Sequence, residues 1–518
     1  MSCTWLSSVG RDRQHSNAPK ALNWDRLRKK AQAFFGIDEL RPGQKEMIET
    51  VMKGKNALGV MPTGAGKSLC YQLPALFLPK ATIVVTPLLS LMHDQTHKLE
   101  EAGVETAHLD STLTRLEEQR AVKAVKNGQK ALVYVTPERL ENPEYLELLK
   151  KGGVSLLVVD EAHCVSQWGH DFRPAYLGIR KAIEAFGNPP VLALTATATP
   201  QVEKDILEQL NLKNVKVCHT GVDRKNLVFE VYRTVNAETK FQRLLELIHH
   251  NEGTGIVYVS TVKLANELHT QLLKAGIIAA KYHGKMRMKE REVIQDDFMA
   301  NRYRVIVATK AFGLGIDKPD VRFVIHYTFP DSVESYYQEA GRAGRDGKKA
   351  VAALLYRLED KRVHSFFLGG KYPNRSDAAL VYSTLLKVTQ LGSQTSSLEE
   401  VVKAAGIVKR KVQVLLAYLE KEKVIQYHKQ IRLKKIFTDG HDLDRFLNHY
   451  EERLGQDRSR IKEIMKYGQT TECRATFFRD YFAEKHGEIC RKCDNCRGKF
   501  LNPKPVESGN ELQKMVMS

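Results

Sequence analysis

Short apolar runs rich in β-branched residues alternate with helix-length segments up to about residue 357. In the first half the runs fall at 81–87, 131–136, 154–160 and 191–197. In the second they fall at 255–260, 277–283, 304–309, 322–327 and 352–357. Several are apolar at consecutive positions, not at alternate ones. Strands buried on both faces of a parallel sheet have that character, and the segments between them supply crossover helices. The pattern runs twice. It predicts two tandem α/β lobes with parallel sheets, over 23–207 and 208–370, meeting near residues 205–225.

Beyond about Asp377 the pattern changes. Residues 381–390, 398–405 and 409–422 carry helical spacing, and 424–427 and 431–436 predict a strand pair around His428-Lys429-Gln430. Three helices and a hairpin is the plan of a winged helix, here over 371–440. A further helical stretch, 443–467, runs into a cluster of cysteines and predicts a small helical metal-binding subdomain over 441–500. Residues 1–22 and 501–518 are expected to be a disordered and a flexible tail.

Composition narrows the class. A chain of 518 residues suggests three or four domains. No run of about 18 apolar residues predicts a membrane-spanning helix. Residues 1–19 lack the apolar core of a signal peptide, which points to a reducing, cytoplasmic compartment. Lys and Arg (80) outnumber Asp and Glu (61), a formal charge of +19 that favours a polyanionic partner.

Met61-Pro-Thr-Gly-Ala-Gly-Lys-Ser68 lies between an apolar run and a helix-length segment. Its glycines let backbone N–H groups turn toward phosphates. Thr63, Gly64, Ala65, Gly66, Lys67 and Ser68 are therefore expected to cradle a nucleotide, with Lys67 on the β- and γ-phosphates and Ser68 on Mg²⁺. The strict pattern has glycine where Met61 stands. The apolar run 154–159 ends in Asp160 and Glu161. Ligands bind open α/β sheets at that edge of a strand. Asp160 can hold the Mg²⁺ there, and Glu161 can orient or deprotonate the attacking water. In the second lobe, Gln338-Glu-Ala-Gly-Arg342-Ala-Gly-Arg345 sets two arginines three apart. On a helix they share a face, and turned toward the first lobe they could act as arginine fingers.

Cys473, Cys490, Cys493 and Cys496 are separated by sixteen, two and two residues. Four thiolates suit a tetrahedral Zn²⁺ with no open position. An iron–sulfur cluster also takes four, and a Cys490–Cys493 redox pair is a third option. The other cysteines, Cys3, Cys70, Cys164 and Cys218, are scattered.

As a set these motifs resemble superfamily 2 helicases and, within them, the RecQ family, over about residues 30–360 and then in pieces. The resemblance implies two RecA-like P-loop lobes and ATP-dependent, 3′-to-5′ unwinding of DNA in recombination and repair. It implies that Leu40-Arg41-Pro-Gly-Gln44 reads adenine, with Gln44 on the base edge and Arg41 nearby. Ile37 stands where the family often has an aromatic. Residues 86–92 and 136–138 resemble loops that track the DNA backbone, and 195–198 resembles the link between hydrolysis and DNA. Residues 313–319, with Gly315 and Asp317, resemble the second-lobe motif that touches nucleotide and strand. His163 and Gln338 complete the catalytic set.

The sharpest mark is Ser166-Gln167-Trp168-Gly-His170-Asp-Phe172-Arg173-Pro174, similar to the family's aromatic-rich loop. Its Trp168, Phe172 and Arg173 would stack on or clamp single-stranded bases. The cysteines resemble the family's zinc-binding subdomain. The family usually places that subdomain before the winged helix, whereas here it follows. Lys429 and Arg432 lie on or beside a hairpin that could pry a duplex open. The implied partners are single-stranded and duplex DNA, with a single-strand-binding protein or a topoisomerase. The implied location is the nucleoid or the nucleus. The residues also leave room for an RNA helicase, a translocase on duplexes that it does not separate, and a non-catalytic DNA-binding scaffold.

Overall fold

A computed structural model of the chain describes residues 2–6, 22–87, 89–110, 113, 132–166, 168–169, 171–313, 318–360, 373–389, 395–427, 430–436, 440–484 and 487–498. The expectations for Gln167, His170, Gly315, Asp317, Lys429 and the C-terminal tail lie outside these residues. The described residues divide into two compact units: one within 1–328, 334–355 and 469–518, the other within 329–333 and 356–468.

The first unit holds two sheets. The first sheet comprises β1 (Ser2–Leu6), β2 (Ala57–Val60), β3 (Ala81–Val85), β4 (Thr106–Leu109), β5 (Leu132–Val135), β6 (Val154–Val159), β7 (Val191–Thr195) and β8 (Val215–His219). Its order is β1-β8-β2-β7-β6-β3-β5-β4. All its pairs are parallel except β1 on β8. Alternate residues of one strand feed opposite cores: Leu58, Leu157 and Val159 pack on one face, and Ala57, Leu156 and Val158 on the other. Both faces are covered, which is why the strands read as continuous apolar runs. Each fully buried Val, Leu or Ile contributes about 1.5–3 kcal/mol.

The second sheet comprises β9 (Leu227–Arg233), β10 (Thr254–Tyr258), β11 (Ala279–Tyr282), β12 (Val305–Ala308), β13 (Val321–His326) and β14 (Ala350–Tyr356), in the order β11-β12-β10-β13-β14-β9.

Two expectations are corrected here. The first lobe runs on through β8 and does not end at residue 207, because β8 pairs with β2 and buries Val215 and Val217 in the first core. Residues Ser2–Leu6, expected inside a disordered tail, form an edge strand. The outer edge of β8 offers backbone groups that need partners, and Thr4 and Trp5 favour extended structure. Cys3 and Cys218 face each other in this pair and form a disulfide.

In the second unit, helices Arg375–Thr389, Leu398–Ala405 and Lys409–Lys421 precede an antiparallel pair, β15 (Ile425–Tyr427) and β16 (Ile431–Leu433), in the predicted order. Ser397 and Glu400 cap the second helix reciprocally, and Gly406 ends it. Val381, Leu385, Val401, Leu416 and Ile431 form the core. The helix Gly440–Gln469 adds Leu447 to that same core. All but its last residue falls within this compact unit.

Candidate active site

β6, β7 and β2 are consecutive in the first sheet. Their C-terminal ends therefore deliver Asp160 and Glu161, Thr195, and the 61–68 loop to one edge. The Met61 N–H donates to the Thr195 carbonyl at 2.9 Å, tying the loop to β7. Lys67 is partly buried and donates to the Met61 carbonyl at 3.2 Å. Burial pushes its pKa down, while the charges of Glu161 and Asp160 push it up. Burial, and then the Glu161 charge, raise the Asp160 carboxyl to about 7, against the pull of Lys67. A carboxyl so placed gains from a cation beside it, which fits the expected Mg²⁺ with Ser68 as a second holder.

Glu161 occupies the left-handed region, with φ 47° and ψ 47°. A non-glycine residue held there costs about 1–3 kcal/mol and is common at functional sites. The conformation brings its Oε2 to 3.3 Å from Nδ1 of His163. That nitrogen also lies 3.0 Å from the Thr195 hydroxyl, which donates to the Thr197 carbonyl at 3.0 Å. With the hydroxyl proton committed to Thr197, Nδ1 of His163 is the donor. The Tyr176 hydroxyl donates to the Asp160 carbonyl at 3.0 Å.

The 166–174 loop follows directly. Ser166 Oγ donates to Asp205 at 2.7 Å and accepts the Trp168 N–H at 3.1 Å. A Cβ at position 169 would come within 2.3 Å of the His163 carbonyl, so only glycine lets the loop fold back this tightly. Trp168 is 42% exposed, whereas Phe172 is 7% exposed. Trp168 thus presents its ring, while Phe172, expected to stack on bases, is packed inside. The Arg173 N–H donates to the Cys164 carbonyl at 2.9 Å and ties down the chain next to Phe172. The Arg173 guanidinium pairs with Asp171 at 3.1 Å and donates to the Pro87 carbonyl at 3.2 Å.

The arginine pair departs from expectation. The helix Val333–Ala340 ends before Gly341, and Arg342 and Arg345 sit in turns that aim them apart. Arg342 is buried and donates to the Gly313 carbonyl of its own lobe. Arg345 alone approaches the phosphate loop, with its Cγ 3.7 Å from the Cβ position of Gly64, and its charge lowers the Lys67 pKa. Gln338 is half-buried on the last turn of the same helix.

Arg224, between β8 and β9, was not legible in the sequence. Its guanidinium donates to Thr63 (2.5 Å), Gly341 (3.2 Å), Ala343 (3.1 Å) and Gly344 (3.1 Å), all backbone carbonyls. It therefore joins the phosphate loop to the turn that carries Arg345. Only the polar string Asp223-Arg224-Lys225-Asn226 hinted at it. Asp205, which anchors Ser166, was also missed. On the other side of the loop, the Gln44 amide donates to the Gly66 carbonyl at 2.8 Å and its oxygen accepts the Arg41 N–H at 2.7 Å. Arg41 donates to the Gly64 carbonyl. Ile37 packs into the small core of the first helix, beside Leu27 and Leu73.

The sulfurs of Cys473, Cys490, Cys493 and Cys496 lie within 4.8 Å of one another. Cys490 and Cys496 are 3.9 Å apart. Tetrahedral Zn–S bonds of about 2.3 Å set sulfurs about 3.8 Å apart, so the set fits Zn²⁺. Backbone N–H groups of Cys490, Cys493 and Cys496 point at neighbouring sulfurs (3.2, 3.4 and 3.4 Å), as thiolate ligands require. The subdomain docks on the inter-lobe junction. Lys492 donates to the Arg224 carbonyl (3.1 Å), and Arg479 pairs with Asp223 (2.8 Å). Buried Asp494 pairs with Arg474 (2.8 Å) and accepts the Val231 N–H of β9 (3.1 Å).

Comparison with known proteins agrees with this construction. The DEAD/DEAH box helicase family matches residues 41–206, the helicase conserved C-terminal domain matches 239–347, and the RecQ zinc-binding family matches 431–497. The three matches together, and the relatives, make the chain similar to RecQ-family helicases of superfamily 2. It is 35% identical over 466 residues to the ATP-dependent DNA helicase RecQ of Bacillus subtilis (strain 168), covering 89% of this chain and 65% of that protein. It is 43% identical over 324 residues to the probable ATP-dependent DNA helicase RecS of the same organism, covering 62% and 65%. The chain thus spans just under two thirds of the length of these relatives. Among solved structures, the DUF1998 helicase MrfA bound to DNA and AMPPNP shares the fold, with a TM-score of 0.54 and 21% identity over 84% of this chain and 65% of that one. Among the described residues no helix is long and apolar enough to cross a membrane.

Proposed function

We propose that this protein is an ATP-dependent DNA helicase that moves 3′-to-5′ on single-stranded DNA, separates duplexes and serves recombination and repair. One observation carries this reading above the others. The carboxylates Asp160 and Glu161, His163 and the exposed Trp168 lie on one short stretch of chain that ends a strand beside the phosphate loop. A base stacked on Trp168 pulls on the same backbone that aims Glu161.

In this mechanism Lys67 and the N–H groups of residues 63–68 hold the phosphates, and Gln44 and Arg41 exchange their bonds to the loop for bonds to adenine. Ser68 and Asp160 would hold Mg²⁺, which supplies charge neutralisation on the phosphates. Glu161 accepts the proton of the water that attacks the γ-phosphorus. The bond to the β–γ bridging oxygen then breaks, with its charge met by Lys67 and Arg345. Arg224 transmits the change between the lobes. Trp168 and Arg173 grip the strand, and Arg432, exposed on β16, lies beside the hairpin that would open the duplex. The four thiolates take a structural Zn²⁺.

Unwinding of partial duplexes with 3′ or 5′ tails, in DNA and in RNA, with and without ATP, tests the reading. ATP-dependent separation of 3′-tailed DNA is expected. Separation of RNA alone, or of no substrate, overturns it.

A further inference from the structure

A second group of metal-ligand chemistry lies far in sequence from the cysteines. His93 sits on the helix Leu89–Glu101, His108 on β4, and Asp110 just past the end of β4. Their ligand atoms all lie within 4.8 Å of one another. Nε2 of His93 is 3.0 Å from Asp110 Oδ2, and Nε2 of His108 is 3.9 Å from the same oxygen. The two rings lie 4.8 Å apart, centre to centre. The Asp110 side chain is fully buried, while those of His93 and His108 are 44% and 26% exposed. A buried carboxylate thus forms the floor of a site whose two imidazoles face solvent. Arg139 holds that floor by donating to the Asp110 carbonyl at 2.6 Å, with its own guanidinium braced on Tyr145 at 2.7 Å.

These dimensions are those of a coordination sphere. Bonds of about 2.0–2.2 Å from a first-row cation to imidazole nitrogen and carboxylate oxygen place neighbouring donors about 3.0–3.5 Å apart. The His93–Asp110 distance already lies in that range, and a small rotation of the partly exposed His108 ring brings in the third donor. Two imidazoles and one carboxylate on one side of an ion leave positions for water, and imidazole suits Zn²⁺ and its neighbours better than Mg²⁺ or Ca²⁺.

We propose that His93, His108 and Asp110 form a binding site for a divalent first-row cation of the Zn²⁺ class, distinct from the cysteine site. Its ligands come from a helix and from the edge strand of the first sheet, so the ion staples one to the other. The staple lies near the start of the helix Leu89–Glu101.

The experiment uses the full chain carrying its cysteine-bound zinc. Titration with Co²⁺ is expected to fill one further equivalent, with weak visible bands and no new thiolate-to-metal charge transfer. His93→Ala and His108→Ala, at partly exposed positions, are each expected to weaken that equivalent more than the about 10–100-fold typical of losing an outer-shell partner. Both should leave the cysteine-bound zinc unchanged. Should a variant fold poorly, ¹¹³Cd NMR of the wild-type chain decides alone: a second resonance in the nitrogen/oxygen range supports the site. Absence of a second equivalent at sub-millimolar metal, a charge-transfer band for it, or undiminished binding in both variants overturns it.

Discussion

The Arg224 guanidinium donates to the Thr63 carbonyl at 2.5 Å, across the junction between the two α/β lobes. The same group holds three carbonyls of the turn that leads to Arg345. Arg224→Ala leaves these carbonyls without their charged partner, and a hydrogen bond to a charged group is worth about 1.5–3 kcal/mol. The expected result is a fall in kcat/KM for ATP of about 10–100-fold, read by steady-state hydrolysis. Arg224→Lys should recover little, because an ammonium cannot reproduce the fork.

Lys67 is a partly buried cation that feels the charges of Asp160, Glu161 and Arg345. Lys67→Ala should abolish DNA-stimulated ATP hydrolysis while leaving single-strand affinity within a few-fold, measured by fluorescence anisotropy. Unchanged hydrolysis would sink the site assignment.

The two aromatics of the 166–174 loop should part company. Trp168→Ala is expected to weaken single-strand binding by about 1–3 kcal/mol, the worth of one stacked base, without lowering the melting temperature. Phe172→Ala should cost about 3–5 kcal/mol of stability, as a truncated core ring does. Equal binding losses at equal stability would contradict the burial difference.

Asp160 gives a pH signature. Its pKa is raised from 3.8 to about 7, by burial first and Glu161 second. The folded chain therefore holds a proton that the unfolded chain has lost, and in Mg²⁺-free buffer stability should fall as pH rises from about 4 to 7. Asp160→Asn should flatten that slope in urea titrations. By the same sign, the KM for Mg·ATP should rise as pH drops below 7, since proton and cation compete for one carboxylate.

Asp494 accepts one backbone bond from β9 and is held inside the cysteine subdomain by a buried ion pair with Arg474. Removing one partner of such a pair costs about 3–5 kcal/mol. Asp494→Ala should lower the thermal midpoint markedly, and a chelator should release its zinc faster than from the wild type. Equal release rates would show that Asp494 does not support the cysteine site.

The parallel sheets were legible because both faces are covered and the strands read as unbroken apolar runs. The phosphate loop, the carboxylates and the four cysteines were legible because their chemistry needs fixed residues at fixed spacing. β1 and β8 were not, since β1 gains its structure only from an edge 215 residues away. Arg224 was not, because its partners are backbone carbonyls, which carry no sequence signal. The divergence of Arg342 and Arg345 was hidden for a related reason: three-residue spacing implies a shared face only while the helix continues, and it stops at Ala340.

The chain enters the three-helix-and-hairpin unit after Leu355 and leaves it at Gln469. At that threshold a Cβ on residue 468 would lie 2.1 Å from the Tyr356 ring, so the two ends of the 356–468 segment touch. A module whose two ends meet is a graft. It can be spliced into a loop, or cut out and replaced by a few residues, without stretching the host.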